Sequence, residues 1–355
     1  MIGNWIDVLR TCNLEKGSRM DLVSKWLIIT RSCVFSMTLL SAFIGGMLAA
    51  LDGMFSLGRL LLVTVGLLLA HAANNMVNDL FDVREGIDTR DYPRASYALH
   101  PLLDGLVSRN GLIAAILLCN LLDLGIAVTL AVRCGWPVML FAVAGLLTSV
   151  FYVAPPLKLK QRGLGELAIF LIWGPLMIAG TYYVLAGSAP VGVWLASVPY
   201  GLAVTTALMG KHLDKAEKDR AKKVRTLPVL LGPGRAQAAT GLLIWAFYLL
   251  VVALVVSGTL PWLALLTLIS IPKATRFLTT LQQPMPGTPQ EAFQLAEDAI
   301  PKDLKKRFDP SLPAEDYPLW PLWYVVWGVW WTRSAGAWFV GGLTLAALWR
   351  VVFGS

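Results

Sequence analysis

The chain has 355 residues, is 56% hydrophobic and only 15% charged, and has a mean hydropathy of +0.64. Soluble domains carry roughly 25% charged residues, so this composition excludes an ordinary soluble domain and reads as an all-α polytopic membrane protein. The net charge of +8 would suggest nucleic acid for a soluble chain, but the basic residues here cluster between apolar runs, as in membrane-protein loops, and no nucleic-acid partner is expected.

Residues 1–23 read as a short cytoplasmic lead with an interfacial helix over NWIDVLRTC. The apolar run behind them starts near Lys25, and the segment in front is too polar for a secretory signal. The first span is expected over 26–51 and the second over 57–81, followed by a loop bearing Arg84, Arg90, Arg94 and Arg109. The third falls over 112–132 and the fourth over 136–153, ahead of the basic loop APPLKLKQRGLGE. The fifth covers 167–185, with Gly174-Pro175 as a kink, and the sixth covers 191–213. A second polar block, GKHLDKAEKDRAKKVRTLPVLLG, precedes the seventh span over 239–256 and the eighth over 262–281. Residues 282–318 form a polar segment in which AFQLAEDAIPKDLKKRF has the pattern of an amphipathic surface helix broken at Pro301. The Trp-rich run DYPLWPLWYVVWGVWW suits an interfacial belt, and a ninth span covers 335–352. The division is therefore a lead over 1–23, a nine-helix architecture whose core covers 24–281, a polar segment over 282–318, and a Trp-rich stretch with the last span over 319–355. Nearly all Lys and Arg fall at one end of these spans, which places the N-terminus and the polar loops in the cytoplasm. The four cysteines, Cys12, Cys33, Cys119 and Cys134, show no CxxC or CxxxC spacing, so neither a zinc site nor a disulfide framework is expected. The histidines His71, His100 and His212 are scattered and read as structural.

The chain is organised around NNMVNDLFDVREGIDTRD, residues 74–91, at the end of the second apolar run. Asn75, Asn78, Asp79 and Asp82 fall at i, i+3, i+4 and i+7, which places two amides and two carboxylates on one helical face. Glu85, Asp88 and Asp91 add acid in a loop opened by Gly86. A carboxylate in a membrane costs about 2.5–3.5 kcal/mol on insertion scales, so such groups are paired, metal-bound or open to water. Oxygen ligands at the mouth of a bundle suit Mg²⁺, which favours carboxylates, waters and substrate phosphates. A helix end that turns polar on meeting water would account for residues 85–91 but less well for four polar residues on one face.

The 4/5 loop adds Lys158, Lys160 and Arg162, and the second block adds Lys211, Lys215 and the acids Asp214 and Asp219. Carboxylates and cations at one mouth suit a diphosphate held through Mg²⁺. The individual Lys and Arg of the second block read equally well as a positive-inside loop. Asp214 and Asp219 lie about 140° apart on an ideal helix, so both reach one site only if the helix ends between them. Loss of diphosphate from an allylic chain leaves a carbocation that aromatic faces stabilise; Phe81, Tyr97, Phe151, Tyr152, Trp173, Tyr182 and Tyr183 are candidates.

NDLFDVREGID with Asp91 and Arg94, YVAPPLKLKQRGLGE, GPLMIAGTYYVLAG and DRAKKVRTLPVLLG together resemble the UbiA-type intramembrane prenyltransferases, most closely their menaquinone-precursor branch. The resemblance covers roughly residues 26–268. It implies a nine-helix bundle around a central cavity, Mg²⁺-dependent ionisation of a polyprenyl diphosphate, and transfer to an acceptor that is often aromatic. By resemblance, Asn78 and Asp82 match the metal-binding core, with Asp79 and Asp88 beside it, and Lys160 contacts diphosphate. Asp79, Asp82, Asp214, Asp219 and Lys160 become the catalytic candidates, with Asn75, Asn78, Arg94, Tyr152, Lys158, Arg162, Lys211 and Lys215 on the substrate side. The second motif departs from the branch pattern: four residues before Asp219 stands Lys215, and Asp214 is one residue off. Both acids therefore stay candidates for the metal. The expected function is prenyl transfer to a small aromatic quinone precursor in the bacterial cytoplasmic membrane, among membrane lipid. Transfer to a non-quinone acceptor, cyclisation of the isoprenoid, and non-catalytic lipid binding on the same fold are the alternatives.

Overall fold

The computed structural model describes residues 1–314 and 316–353, which are helical with no strand among them. The final two residues of the segment predicted over 319–355 lie outside the described residues. Helix α1 (Ile2–Thr11) and helix α2 (Leu22–Ile29) precede a 3₁₀ turn over Ser32–Val34 and helix α3 (Phe35–Leu51). The predicted first span is thus broken at Arg31, whose φ of 53° is left-handed. Helix α4 (Leu57–Arg84) carries the acidic face and helix α5 (Pro93–Tyr97) follows it. Helices α6 (Arg109–Cys134) and α7 (Pro137–Val153) lead to a 3₁₀ turn over Leu159–Arg162. Helix α8 (Gly165–Leu171) continues through a π-helical stretch over Ile172–Leu176 into helix α9 (Met177–Ala186), so the expected distortion at Gly174-Pro175 is present.

Helix α10 (Val191–Asp214) is followed by the short helices α11 (Ala216–Ala221) and α12 (Leu227–Leu231), then by α13 (Pro233–Val256). The predicted eighth span begins as a 3₁₀ helix over Trp262–Ser270 and ends as α14 (Ile271–Leu281). Within the predicted polar segment lie α15 (Pro289–Ala296) and a 3₁₀ helix over Lys302–Phe308, separated at Pro301. Helix α16 (Tyr324–Phe353) begins 11 residues earlier than the predicted last span, so the second half of the Trp-rich run forms its first turns. Among the described residues, 7 helical stretches are long and apolar enough to cross a membrane, with α7 shorter, so the expected count of nine is not confirmed.

Packing follows composition. The α4 helix lies against α6, α3 against α9, and α10 against both α13 and α16. Lipid-facing apolar side chains stay exposed on α6 and α13, while Trp331, Tyr200, Phe247 and Phe339 are wholly buried between α10, α13 and α16. Close approach needs small residues: a Cβ on Gly210 of α10 would sit 2.8 Å from the Tyr324 carbonyl at the start of α16. Alternating chain direction brings the end of α4, the start of α8, the end of α10 and the start of α16 to one end of the bundle.

The N-terminal helix is fastened at that same end. Asp7 accepts two hydrogen bonds from the Arg307 guanidinium, at 3.0 and 3.1 Å, and Arg10 pairs with Asp303. Lys16 reaches Asp316 at 2.6 Å. Cys12 and Cys33 form a disulfide, which corrects the expectation of no such bond. The two cysteines stand 21 residues apart in separate elements, so no local spacing motif marks the pair.

Candidate active site

The site is assembled where α4 ends. Gly86, with φ 69°, lets the chain leave the helix in the left-handed region. The N–H groups of Ile87 and Asp88 then donate back to the Asp82 carbonyl at 2.8 and 3.0 Å. That turn folds Asp88 beneath the acidic face. From outside, the Lys222 ammonium pins the loop by donating to the carbonyls of Gly86 and Ile87.

A small cavity here is lined by Asn78, Asp82, Asp88, Arg94, Lys160, Lys211 and Lys215, with Arg31 and Tyr92. These side chains come from α4, the loop behind it, the 4/5 turn and the end of α10. The 3₁₀ turn over Leu159–Arg162 aims Lys160 inward, where its ammonium donates to Asp82 Oδ2 at 2.5 Å. Asp219 is buried beside the cavity and accepts from the Tyr92 hydroxyl and, at 3.2 Å, from Lys215. Burial raises the Asp219 carboxyl, but the Lys215, His212 and Lys160 charges and the Tyr92 hydrogen bond together outweigh it and hold the group below its usual range. Burial also pushes the Tyr92 phenol far up, keeping it a hydroxyl donor.

Asp88 receives a hydrogen bond from His100 Nε2 at 3.3 Å. The backbone N–H groups of Leu102 and Leu103 donate to His100 Nδ1, which fixes Nδ1 as the acceptor and Nε2 as the protonated nitrogen. Burial works against the Asp88 carboxylate, yet the His100 bond and the Lys160 charge lower it below its ordinary value.

The expected site residues divide clearly. Asn78, Asp82, Asp88, Asp219, Lys160, Arg94, Lys211 and Lys215 are brought together. Asp79 is adjacent and fully buried, but the guanidiniums of Arg31 and Arg94 engage both its oxygens, making it an anchor for cations and not a free metal ligand. Asn75 donates to the Thr30 carbonyl at 2.9 Å and lines the larger cavity described below. Asp214 is a correction. Its two oxygens accept the N–H groups of Tyr324 and Val325 at 2.7 and 3.0 Å, so it caps the start of α16. The helix ends at Asp214, and α11 turns Asp219, not Asp214, toward the acidic cluster. Lys158 also departs from expectation, pairing with Glu85 at 2.6 Å, while Arg162 donates to the Pro156 carbonyl at the surface. The Tyr152 ring is packed beside Gly165, away from the cavity lining. Sequence reasoning missed Arg31, Tyr92 and His100; the break at Arg31 was hidden in an apolar run, and the other two sit in a loop without periodicity.

The donor chemistry suits Mg²⁺. Asp88 Oδ1 and Asp219 Oδ2 are buried carboxylate oxygens with no hydrogen-bond partner among the described residues, and Asn78 and Asp82 add further hard oxygens. Around them the cations are in surplus. Lys211 forms no ion pair or hydrogen bond among the described residues, and it lines both this cavity and a larger one. The larger cavity, of about 330 Å³, shares Arg31, Arg94, Tyr97, Lys211 and Leu322 with the smaller. Away from those cations it is lined by Trp320, Trp323, Trp327 and Trp330. One end is therefore built for a multiply charged anion and the other for an apolar, π-rich group.

The UbiA prenyltransferase family pattern matches residues 38–296, so this chain belongs to that family of membrane prenyltransferases. Among curated relatives, a UbiA prenyltransferase domain-containing protein 1 from Danio rerio is 29% identical over 72% of this chain and 77% of its own. The 1,4-dihydroxy-2-naphthoate octaprenyltransferase of Bacillus subtilis is 25% identical over 66% of this chain and 76% of its own. In fold, the chain resembles a UbiA homologue from Archaeoglobus fulgidus solved with GPP and Mg²⁺, with a TM-score of 0.52 and 16% identity over 89% of this chain and 99% of that one.

Proposed function

We propose that this prenyltransferase moves a polyprenyl group from its diphosphate to a small aromatic quinone precursor, with Mg²⁺ as cofactor and the polar end of the bundle in the cytoplasm of a bacterial membrane. The observation that carries the reading is one cavity lined by Asp88, whose buried Oδ1 has no partner among the described residues, and by Lys211, likewise unpaired among them, with a second unpartnered carboxylate oxygen, Asp219 Oδ2, buried behind the lining residues Tyr92 and Lys215. Protein cations alone leave those oxygens unsatisfied, and carboxylates alone leave Lys211 without a counter-charge. A divalent cation with a diphosphate satisfies both.

In this reading Asn78, Asp82, Asp88 and Asp219 hold the metal, which when bound neutralises diphosphate charge as the C–O bond breaks. Lys160, Lys211, Lys215 and Arg94 bind the remaining phosphate oxygens and stabilise the departing anion. The prenyl chain extends into the Trp-lined cavity, whose rings stabilise the allylic cation and shield it from water. For a ring acceptor, the ring's π electrons form the new C–C bond, and loss of a proton, or of CO₂ from a naphthoate, restores aromaticity. The B. subtilis relative's name supports a naphthoate-type acceptor.

The test is prenyl transfer by purified protein with geranylgeranyl and longer diphosphates over a panel of aromatic acceptors, with and without Mg²⁺. Mg²⁺-dependent formation of a prenylated ring supports the reading. Diphosphate release into a cyclised isoprenoid without an acceptor overturns it.

A further inference from the structure

The donor site is tied to a thiol pair that the mechanism does not use. Cys12 follows α1 directly, and Cys33 lies in the 3₁₀ turn two residues after Arg31. Both cysteines and Arg31 line the Trp-lined cavity. Cys12 and Arg31 each adopt left-handed backbone, with φ of 63° and 53°, a region unfavourable for residues with a Cβ. The turn that presents Arg31 therefore needs external constraint, and the disulfide supplies it on one side. Arg333 of α16 supplies it on the other, donating to the Cys33 carbonyl and, at 2.9 Å, to the Ser36 hydroxyl.

Arg31 itself is held incompletely. One terminal nitrogen donates to Asp79, while its Nε is buried without a partner among the described residues. Its position thus depends on the backbone beneath it more than on a full set of hydrogen bonds. We propose that Cys12–Cys33 is a redox-active site that sets the affinity for the diphosphate end of the donor by positioning Arg31. The proposal rests on the diphosphate reading above.

The exchange is balanced with a cellular dithiol as co-reactant. Cys12 is the more exposed of the two residues, Cys33 being 5% exposed, so a reductant thiolate attacks Cys12 Sγ and the Cys33 thiolate leaves. The second thiol of the reductant then attacks the mixed disulfide, and Cys12 is released as thiol. Two electrons and two protons pass to the protein, and the reductant ends as its own disulfide. With this end of the bundle in the cytoplasm, a persistent structural disulfide would be unusual there, whereas a switching one is the usual kind. The oxidised form holds the turn that carries Arg31 at the site; the reduced form loosens that turn, while the ion pairs of Asp7 and Arg10 still hold α1.

The experiment measures Mg²⁺-dependent binding of inorganic pyrophosphate to the full-length protein by calorimetry, oxidised and after dithiothreitol, with thiols counted by maleimide labelling. The expected result is affinity lower by about tenfold in the reduced form, restored on reoxidation, and for the donor a raised KM with little change in kcat. Cys12→Ser should bind weakly under both conditions. Cys119→Ser with Cys134→Ser should keep the response, since those cysteines are free and away from the cavity. Equal affinity in both forms, with two more thiols labelled after reduction, overturns the proposal. So does labelling of all 4 cysteines before any reductant. Binding that responds to reduction in a protein without transfer activity would overturn the transfer reading and leave the redox site standing.

Discussion

At the scale of single residues, the two acids of the second polar block have separate jobs, and substitution distinguishes them. Asp219→Ala should lower kcat/KM on the order of a hundredfold, because it removes a carboxylate oxygen beside the cavity, and should also lower Tm, because the buried Tyr92 hydroxyl and Lys215 ammonium lose the oxygen they donate to. Asp214→Ala should leave kcat unchanged with a loss of about 1–2 kcal/mol of stability, read as a lower Tm, since two N–H groups at the start of α16 lose their cap. Asp82→Ala should abolish transfer, and Lys160, which then loses its partner, should not rescue it. Much of this site was legible. The i, i+3, i+4, i+7 spacing put Asn78 and Asp82 on the face that lines the cavity, and the angle between Asp214 and Asp219 made their meeting depend on a helix end between them; that end is present, yet Asp214 caps α16 instead. What spacing could not show is which side chain is already spoken for. Asp79 sits on the right face yet is consumed by Arg31 and Arg94, and Arg31 comes from a span expected to run unbroken.

Secondary-structure elements position these residues through a few close approaches. The end of α10 carries Lys211 and abuts the first turn of α16 at Gly210, where an added Cβ would meet backbone and no flexible side chain. Gly210→Ala should therefore cost about 1–3 kcal/mol and, by shifting Lys211, raise the donor KM; differential scanning calorimetry and steady-state kinetics would report the two effects. The disulfide acts at this scale too. Closing a separation of 21 residues, its reduction should lower stability by about 3 kcal/mol in the chain-entropy view. Apolar length and loop charge located most spans within a few residues. They failed at the Trp-rich run, because an interfacial belt and the first turns of a buried helix have the same composition, and burial of Trp327 and Trp331 against neighbouring helices is a tertiary fact.

On the scale of the whole molecule, charge and greasiness are segregated to opposite parts of one reaction chamber. Removing divalent metal with EDTA should reduce transfer on the order of a hundredfold or more, with recovery on adding Mg²⁺, because the cations alone leave Asp88 and Asp219 opposing the diphosphate. The general plan, an all-helical membrane bundle with polar loops at one end, was readable from hydropathy and the distribution of Lys and Arg. The roof was not. Asp7 meets Arg307 across 300 positions, and nothing local in either segment specifies the other.

That contact has a consequence for how the chain is made. Arg307 follows Asp7 by 300 positions; at about 5–20 residues per second, roughly 15–60 s of synthesis separate them. Throughout that interval the helices carrying the acidic face emerge before the guanidinium that Asp7 grips. The contact beside the cavity thus forms only after the helices that carry the acidic face have been made.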